Sequence, residues 1–181
     1  MTEAPDHRQL PYRQGVGLCL FNREGLVLVA ERRDRTDAWQ MPQGGVQKGE
    51  DLSVAALREL KEEIGTDNAE IIAMIPEKVT YDFPDWLQHK GDRPYRGKYR
   101  GQQQTWFALR FLGTDQDISL AGEHEPEEPE FTDWKWVPLA ETLNLIVDFK
   151  QPIYARVVKE FAPLGEAIKR GGKLPVWKPE K

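Results

Sequence analysis

The chain has a single cysteine among its 181 residues, only three histidines, and no apolar run near the roughly 18 residues of a membrane-spanning helix. One cysteine cannot close a disulfide within the chain, and with no cluster of partner ligands it makes no thiolate zinc site. Cys19 lies inside the apolar run GVGLCLF, where a thiol packs as a small hydrophobe. His7, His89 and His124 fall in three separate segments, and no Ser-His-Asp set is evident. Positive charge is not in excess either. The net charge of −5 argues against a broad nucleic-acid-binding surface, so DNA is not an expected partner. It does not exclude a polyanionic substrate neutralised locally by cations. The polar opening MTEAPDHRQLPYR lacks the apolar core of a signal segment. These absences lead to the expectation of one cytoplasmic domain with no membrane partner and enough chain to bury a core.

What the chain does have is a stretch around which the rest is arranged, residues 44–66, GGVQKGEDLSVAALRELKEEIGT. Its second half reads as a helix. Asp51 or Ser53 caps the start, Gly65 closes the end in the left-handed conformation, and the run between contains no Gly or Pro. Turning about 100° per residue, the helix carries Glu59, Glu62 and Glu63 on one face. Leu57, Leu60 and Ile64 form the neighbouring, core-facing stripe. Ala55 and Ala56 fall one turn before the carboxylates and are expected to leave a ligand uncrowded there. Carboxylates three and four residues apart repel one another and weaken an isolated helix. Cations among them remove that penalty. Hard divalent ions such as Mg²⁺ prefer such oxygen ligands, with water and phosphate completing the shell.

A Glu-rich helix face alone is usually just solvated; the ordered set around this one changes the reading. Gly44, Glu50, Arg58-Glu59-Leu60, Glu62-Glu63 and Gly65, at these spacings, resemble the signature of the Nudix hydrolase family. Thr66 departs from the pattern at a packing position where the family carries a large aliphatic residue. The resemblance implies Glu59, Glu62 and Glu63 as metal ligands, Glu50 as support for the metal shell, and the Gly45 carbonyl near the metal. It implies for Arg58 a structural part in the catalytic helix, locking a carboxylate. Glycine at 44 and 45 gives access to positive φ and to close backbone approach. The string Trp39-Gln40-Met41-Pro42-Gln43-Gly44-Gly45 resembles more narrowly the branch holding bacterial RNA pyrophosphohydrolases and plant and bacterial dinucleoside polyphosphate hydrolases. KYRGQ followed by Trp106-Phe107 resembles the same branch. In that branch the Glu of a PEF…W.W string reaches the metal site as an extra ligand or as the base, which implies this role for Glu130. Glu127 and Glu128 stand close by as rivals. Arg13 and Arg33 match branch positions near the RNA end.

Around this stretch the chain reads as strands. A hairpin is expected from 15–21 to 26–30, with further strands at 71–75, 78–81, 102–111, 118–120 and 131–136. Pro42 keeps 39–45 extended, and Trp39 reads as a packing residue. Phe107, Leu109 and Phe111 share one strand face, and Trp134 and Trp136 share another. Pro138 opens a short helix through Ile146. Pro152 opens a longer one that packs Ile153, Tyr154, Val157, Val158 and Phe161 on the sheet. Residues 1–10 read as a flexible tail, 11–163 as the domain, and 164–181 as an extension held loosely from Arg170. The insertion 82–101 sets Lys90, Arg93, Arg96, Lys98 and Arg100 among Tyr95 and Tyr99. Cations interleaved with rings can hold a phosphate and stack on a base, so Tyr95, Lys98 and Tyr99 are candidate substrate contacts.

The fold class is therefore α/β, a mixed central sheet flanked by helices, which the resemblance over Tyr12 to Phe161 sharpens to the Nudix α/β/α sandwich. The activity implied is metal-dependent hydrolysis of a phosphoanhydride. Two or three Mg²⁺ ions, with Mn²⁺ as a substitute, would bridge the glutamates and the phosphates and activate a water. Glu63 and Glu130 are both candidates for the general base. The expected substrate is a 5′-polyphosphorylated nucleotide. It is either the triphosphorylated 5′ end of RNA, losing pyrophosphate in a step that favours mRNA decay, or a dinucleoside polyphosphate such as diadenosine tetraphosphate. A non-catalytic, nucleotide-binding protein of this fold would be marked by loss of the metal glutamates, and all three are present.

Overall fold

The computed structural model describes residues 7–88, 97–121 and 129–179. In chain order the elements are β1 (Tyr12–Phe21), β2 (Val27–Arg32), β3 (Trp39–Gln40), β4 (Gln43–Gly45), α1 (Leu52–Ile64), β5 (Ala69–Met74) and β6 (Val79–Asp82). They continue with α2 (Asp85–Gln88), β7 (Gly101–Phe111), β8 (Phe131–Val137), α3 (Thr142–Leu145) and α4 (Gln151–Lys169), with short 3₁₀ turns between. No helix among the described residues is long and apolar enough to cross a membrane.

β1 is the spine of a mixed sheet. It runs parallel to β7 from Tyr12↔Gly101 to Phe21↔Arg110, while β5 and β6 pair antiparallel with β7, and β3 and β8 with β2. The near-continuous apolar run of β1 follows from burial on both faces. Val16, Leu18 and Leu20 pack beneath α1, whereas Cys19 and Phe21 join the cluster beneath α4. β7 divides the same way, with Phe107, Leu109 and Phe111 toward α1 and Trp106 and Ala108 toward α4. Trp134 and Trp136 pack together on the α1 side. The result is the expected helix–sheet–helix sandwich.

Helix α1 starts and stops where its sequence says it should. Asp51 accepts hydrogen bonds from the backbone N–H groups of Ser53 and Val54, and Gly65, at φ +79°, donates its N–H to the Lys61 carbonyl. Thr66 is buried, and its hydroxyl oxygen accepts from the Asn68 N–H at 3.1 Å, so the departure from an aliphatic residue braces the following turn. Ala55 and Ala56 do not flank a ligand. They are fully buried against the sheet, where their small size lets the helix approach closely.

Two further expectations are corrected and a third is narrowed. The hairpin of β1 and β2 forms but is short. Its strands pair at Phe21↔Val27, because β4 takes the same edge of β1 along Gly15–Gly17. Residues 118–120 form no strand. They follow a 3₁₀ turn at Asp115–Asp117, and the Ser119 N–H donates to the Ile64 carbonyl at 2.8 Å, satisfying an open acceptor at the end of α1. The segment after Arg170 is not loose as far as Trp177, whose ring packs edge-on to Phe107 at 6.1 Å. The short helix after Pro138 is a 3₁₀ turn, Leu139–Glu141, running into α3.

Asp82, at the end of β6, ties the edge of the sheet to the start of β1. Its carboxylate accepts from the Tyr12 hydroxyl at 2.7 Å and from Arg100 at 2.8 and 3.2 Å. The Arg100 hydrogen bond, seconded by Tyr12, holds the Asp82 carboxyl below its ordinary range. A carboxyl lowered on folding stabilises the native state above its unfolded value, about 3.9, and loses that contribution as pH falls through the folded value. Asp82→Asn is therefore expected to lower the urea midpoint at pH 7, by a margin that closes as pH falls through the folded value. The pair is half exposed, so the gap at pH 7 should be no more than about 1 kcal/mol.

Candidate active site

β4 pairs with β1 and leads the chain into α1, and this junction places the glutamates. Gln43, at the start of β4, donates its backbone N–H to the Glu63 carboxylate at 3.0 Å. That contact points Glu63 inward from the last turn of α1, where only 9% of the residue is exposed. Burial pushes its carboxyl well above the usual range, and the nearby carboxylates of Glu130 and Glu59 push it further. One turn earlier, Glu59 lies against the bare backbone of Gly44. A Cβ built there would fall 1.9 Å from the Glu59 carboxylate. Burial raises the Glu59 pKa as well, against the pull of Arg58. Neither Gly44 nor Gly45 has a positive φ, so close approach rather than an unusual backbone accounts for both glycines. At Gly45 the neighbour is the Arg13 guanidinium, 2.5 Å from a built Cβ.

Arg58 organises the outer side of this face. It donates to both oxygens of Glu50, at 2.7 and 2.8 Å, and to the Gly45 carbonyl at 2.8 Å. Further bonds go to Glu59 at 2.7 Å and Glu62 at 3.1 Å. The guanidinium holds the Glu50 carboxyl down to about 2. Glu50 also accepts the Gln47 N–H, which closes the loop before α1. The Gly45 carbonyl thus meets Arg58. Glu62, with 41% of its side chain exposed, is the outermost of the three helix carboxylates.

Glu59 and Glu63 line one cavity of about 770 Å³, and Glu130, just before β8, lines it as well. Four cations share the lining: Arg13, Arg32, Arg35 and Lys150. Sequence reasoning missed Lys150. It is buried to 6% exposure, and its Nζ lies 3.4 Å from Gln40 Oε1, 3.3 Å from Gln43 Oε1 and 5.5 Å from the centre of the Tyr81 ring. The only local signal was a charged residue wedged between Phe149 and the first turn of α4.

The structure also redistributes the other sequence candidates. Along β2, Arg32 shares the face of Leu28 and Ala30, while Arg33, which the branch pattern implied, falls just past the end of the strand. Arg32 lines the cavity and sits 3.6 Å from Glu130, while Arg33 is exposed and donates from Nε to the Pro129 carbonyl at 2.8 Å. Lys98 is exposed, and Tyr99 packs against the α4-side core; neither lines the cavity. Tyr95, Glu127 and Glu128 lie outside the described residues. Trp39 packs on the core as expected, with the Lys135 ammonium 4.2 Å from its ring centre.

As placed, no three Asp, Glu, His or Cys side chains among the described residues converge closely enough to share one ion. Arg58 stands between Glu50, Glu59 and Glu62 and binds all three. The donor set nonetheless fits a hard divalent cation. Glu63 is a buried and Glu59 a partly buried oxygen donor, their anionic forms disfavoured by burial and neighbouring carboxylates, and a cation beside them reverses both effects. With Arg13, Arg32 and Lys150 also in its lining, the cavity is suited to a chain of phosphates together with its counterions.

Comparison with known proteins agrees with this chemistry. The NUDIX domain family matches residues 11–157. An RNA pyrophosphohydrolase of Erythrobacter litoralis is 52% identical over 163 residues, covering 88% of this chain and 96% of that protein. One from Nitrobacter winogradskyi is 47% identical over 163 residues, covering 87% and 94%. Among solved structures, the E. coli dihydroneopterin triphosphate pyrophosphohydrolase superposes with a TM-score of 0.62 at 22% identity, over 83% of this chain and 99% of that one, a likeness of fold. A sandwich of this topology, a glutamate helix entered through two crowded glycines, and a family match across the whole sheet lead to one assignment: the chain belongs to the Nudix hydrolase family.

Proposed function

We propose that this hydrolase removes pyrophosphate from the triphosphorylated 5′ end of RNA, leaving a 5′ monophosphate. The observation that carries the reading is the meeting of buried Glu63 and partly buried Glu59 with Arg13, Arg32 and Lys150 in one cavity. Relatives 47% and 52% identical, matched over nearly their whole length, bear the name of that activity and support it.

Divalent cations, Mg²⁺ in this reading, supply charge neutralisation and a nucleophilic water at neutral pH when bound. Glu59, Glu62 and Glu63 would hold them, with Glu50, the Gly45 carbonyl and Glu130 as supporting oxygens. The remaining work belongs to the chain. Arg58 is a positioning residue: one guanidinium fixes three carboxylates and the β4–α1 turn together. Arg13, against Gly45, and Lys150, between two glutamine oxygens, face the phosphate oxygens and orient the chain for in-line attack. Glu130 lies near enough for its charge to raise the Glu63 pKa, and either carboxylate could take the proton of the attacking water. Pyrophosphate leaves carrying the charge that the arginines and the lysine screen. A substrate of this kind places the enzyme with the transcripts of the cytoplasm, whose decay a 5′ monophosphate favours.

The test offers the protein triphosphorylated RNA and diadenosine tetraphosphate in separate reactions with Mg²⁺. Pyrophosphate release from RNA, with kcat/KM about tenfold or more above that for the dinucleotide and abolished by EDTA, is the expected result. The reverse ranking would make it a dinucleoside polyphosphate hydrolase. Inertness toward both, with nucleotide binding retained, would make it a binding module.

A further inference from the structure

Behind the lining of the cavity runs a set of side-chain amides whose direction is dictated by their partners. Trp106, on β7, is fully buried, and its indole N–H donates to Gln104 Oε1 at 3.1 Å. An indole nitrogen only donates, so the Gln104 amide must turn its oxygen that way. Its NH2 group then points elsewhere and donates to Gln102 Oε1 at 2.9 Å and to Gln43 Oε1 at 3.0 Å. At the other end of the set the Lys150 ammonium, also a pure donor, reaches Gln43 Oε1 at 3.3 Å and Gln40 Oε1 at 3.4 Å. The Arg32 guanidinium adds a donor 3.3 Å from the same Gln40 oxygen. Every amide oxygen in the set is thus committed to a donor. What remains is the NH2 groups of Gln40, Gln43 and Gln102, and these three residues line the cavity, whereas Gln104 and Trp106 do not. Gln40 adds an observation of its own. It is 1% exposed, yet its Nε2 has no hydrogen-bond partner among the described residues. A buried N–H left unpaired is costly, and an acceptor oxygen held in the cavity removes that cost.

We propose that Gln104, directed by Trp106, is a positioning residue that sets the polarity of the cavity's glutamines, so that they offer N–H groups to the oxygens of a bound phosphate chain. The role rests on the reading of the enzyme as a hydrolase of polyphosphorylated substrates. Phosphate oxygens only accept when ionised, and a row of amides with every oxygen already engaged presents them with donors alone. Gln102 depends on this arrangement most directly. Its oxygen has Gln104 as its one donor among the described residues, whereas the Gln43 oxygen is held by Lys150 as well. Without the Gln104 NH2 group the Gln102 amide is free to turn, and a turned amide aims its oxygen at the phosphates. A residue that never touches the substrate thereby decides whether the surface facing it attracts or repels.

The test measures by calorimetry, with Mg²⁺ present, the affinity for inorganic tripolyphosphate of the parent, Gln104→Met, Trp106→Phe and the double variant. Thermal melts and kcat/KM on triphosphorylated RNA are taken beside it. Gln104→Met keeps much the same volume without the amide, and is expected to weaken binding about tenfold, as the loss of one hydrogen bond to a charged group requires. Trp106→Phe keeps a ring in the core, removes the N–H that directs Gln104, and should weaken binding in the same sense. Since both act through one relay, the double variant should bind no more weakly than the weaker single variant. Losses that add in the double variant would overturn the proposal. So would melting points that fall while the affinities hold, which is the mark of a packing role alone, and so would a parent that does not bind tripolyphosphate. A parent that binds it but releases no pyrophosphate from RNA would overturn the RNA reading only, because the affinities judge the relay without turnover.

Discussion

Glu62→Gln is expected to lower kcat/KM on triphosphorylated RNA by about a hundredfold or more, with a thermal midpoint within a degree or two of the parent. The two halves of that result come from different physics. Among the described residues Glu62 makes one hydrogen bond, to Arg58 at 3.1 Å, within an i,i+4 pair, and 41% of its side chain is exposed. Exposed helix pairs of this kind contribute about 0.3–0.5 kcal/mol, so losing the charge costs the fold almost nothing. Catalysis reads the same change differently. Removing one outer partner from a metal site costs about 10–100-fold, and removing a group aimed at transition-state charge costs about 10²–10³-fold. A merely solvated carboxylate would leave turnover unchanged, and a scaffold residue would lower the melting point. A readout independent of turnover is the Mg²⁺-induced rise in melting temperature, since a ligand bound only by the native state stabilises it by mass action. Glu62→Gln should diminish that rise, and an undiminished one would show that the ion is held elsewhere.

The sequence disclosed α1 more completely than any other element because everything that defines it is local. Asp51 and Gly65 cap it, and the three-and-four spacing sets its faces. What stayed hidden depends on partners far along the chain. Lys150 belongs to the site through Gln40 and Gln43, more than a hundred residues earlier, and the order of the strands alone brings them together. Arg32 takes the place that the branch pattern implied for Arg33, and the partners that meet it there, Gln40 and Glu130, come from elsewhere in the chain. Residues 118–120 have the composition of a strand, yet Ser119 serves the open carbonyl of Ile64. Tyr99 sits in a run of cations and reads as a substrate contact. Its ring is instead taken up by the core, since apolar surface beside a sheet edge is more stable buried than waiting on a ligand. The helix carboxylates were legible as a set but not as individuals. Glu63 is buried and Glu62 exposed, although one turn of helix carries both, because β4 covers one flank of α1 and leaves the other to solvent.

That covering by β4 also sets up the sharpest separation of function from stability in the molecule. Gly44→Ala is expected to lower kcat/KM by about a hundredfold while the protein stays folded. The added methyl would lie 1.9 Å from the Glu59 carboxylate, and the two cannot share that space. Gly44 has no positive φ, so alanine adopts its backbone without strain, and the atoms in the way are the free end of a side chain. Glu59 therefore yields, swinging off the glycine and giving up its 2.7 Å bond from Arg58. A displacement of about 1 Å in a positioning group can cost about 10²-fold in rate. The stability cost is a partly exposed ion pair, about 1 kcal/mol. Gly17→Ala serves as the control. Its methyl would stand 2.2 Å from the indole of Trp106, which is fully buried and packed edge-on to Tyr154 at 5.6 Å. Nothing there can swing aside, so the loss falls on stability, about 1–3 kcal/mol or more. Kinetics and thermal melts of the two variants, measured side by side, check the distinction. A Gly44→Ala enzyme with parental turnover would show that the Glu59 carboxylate has no work to do where the glycine holds it.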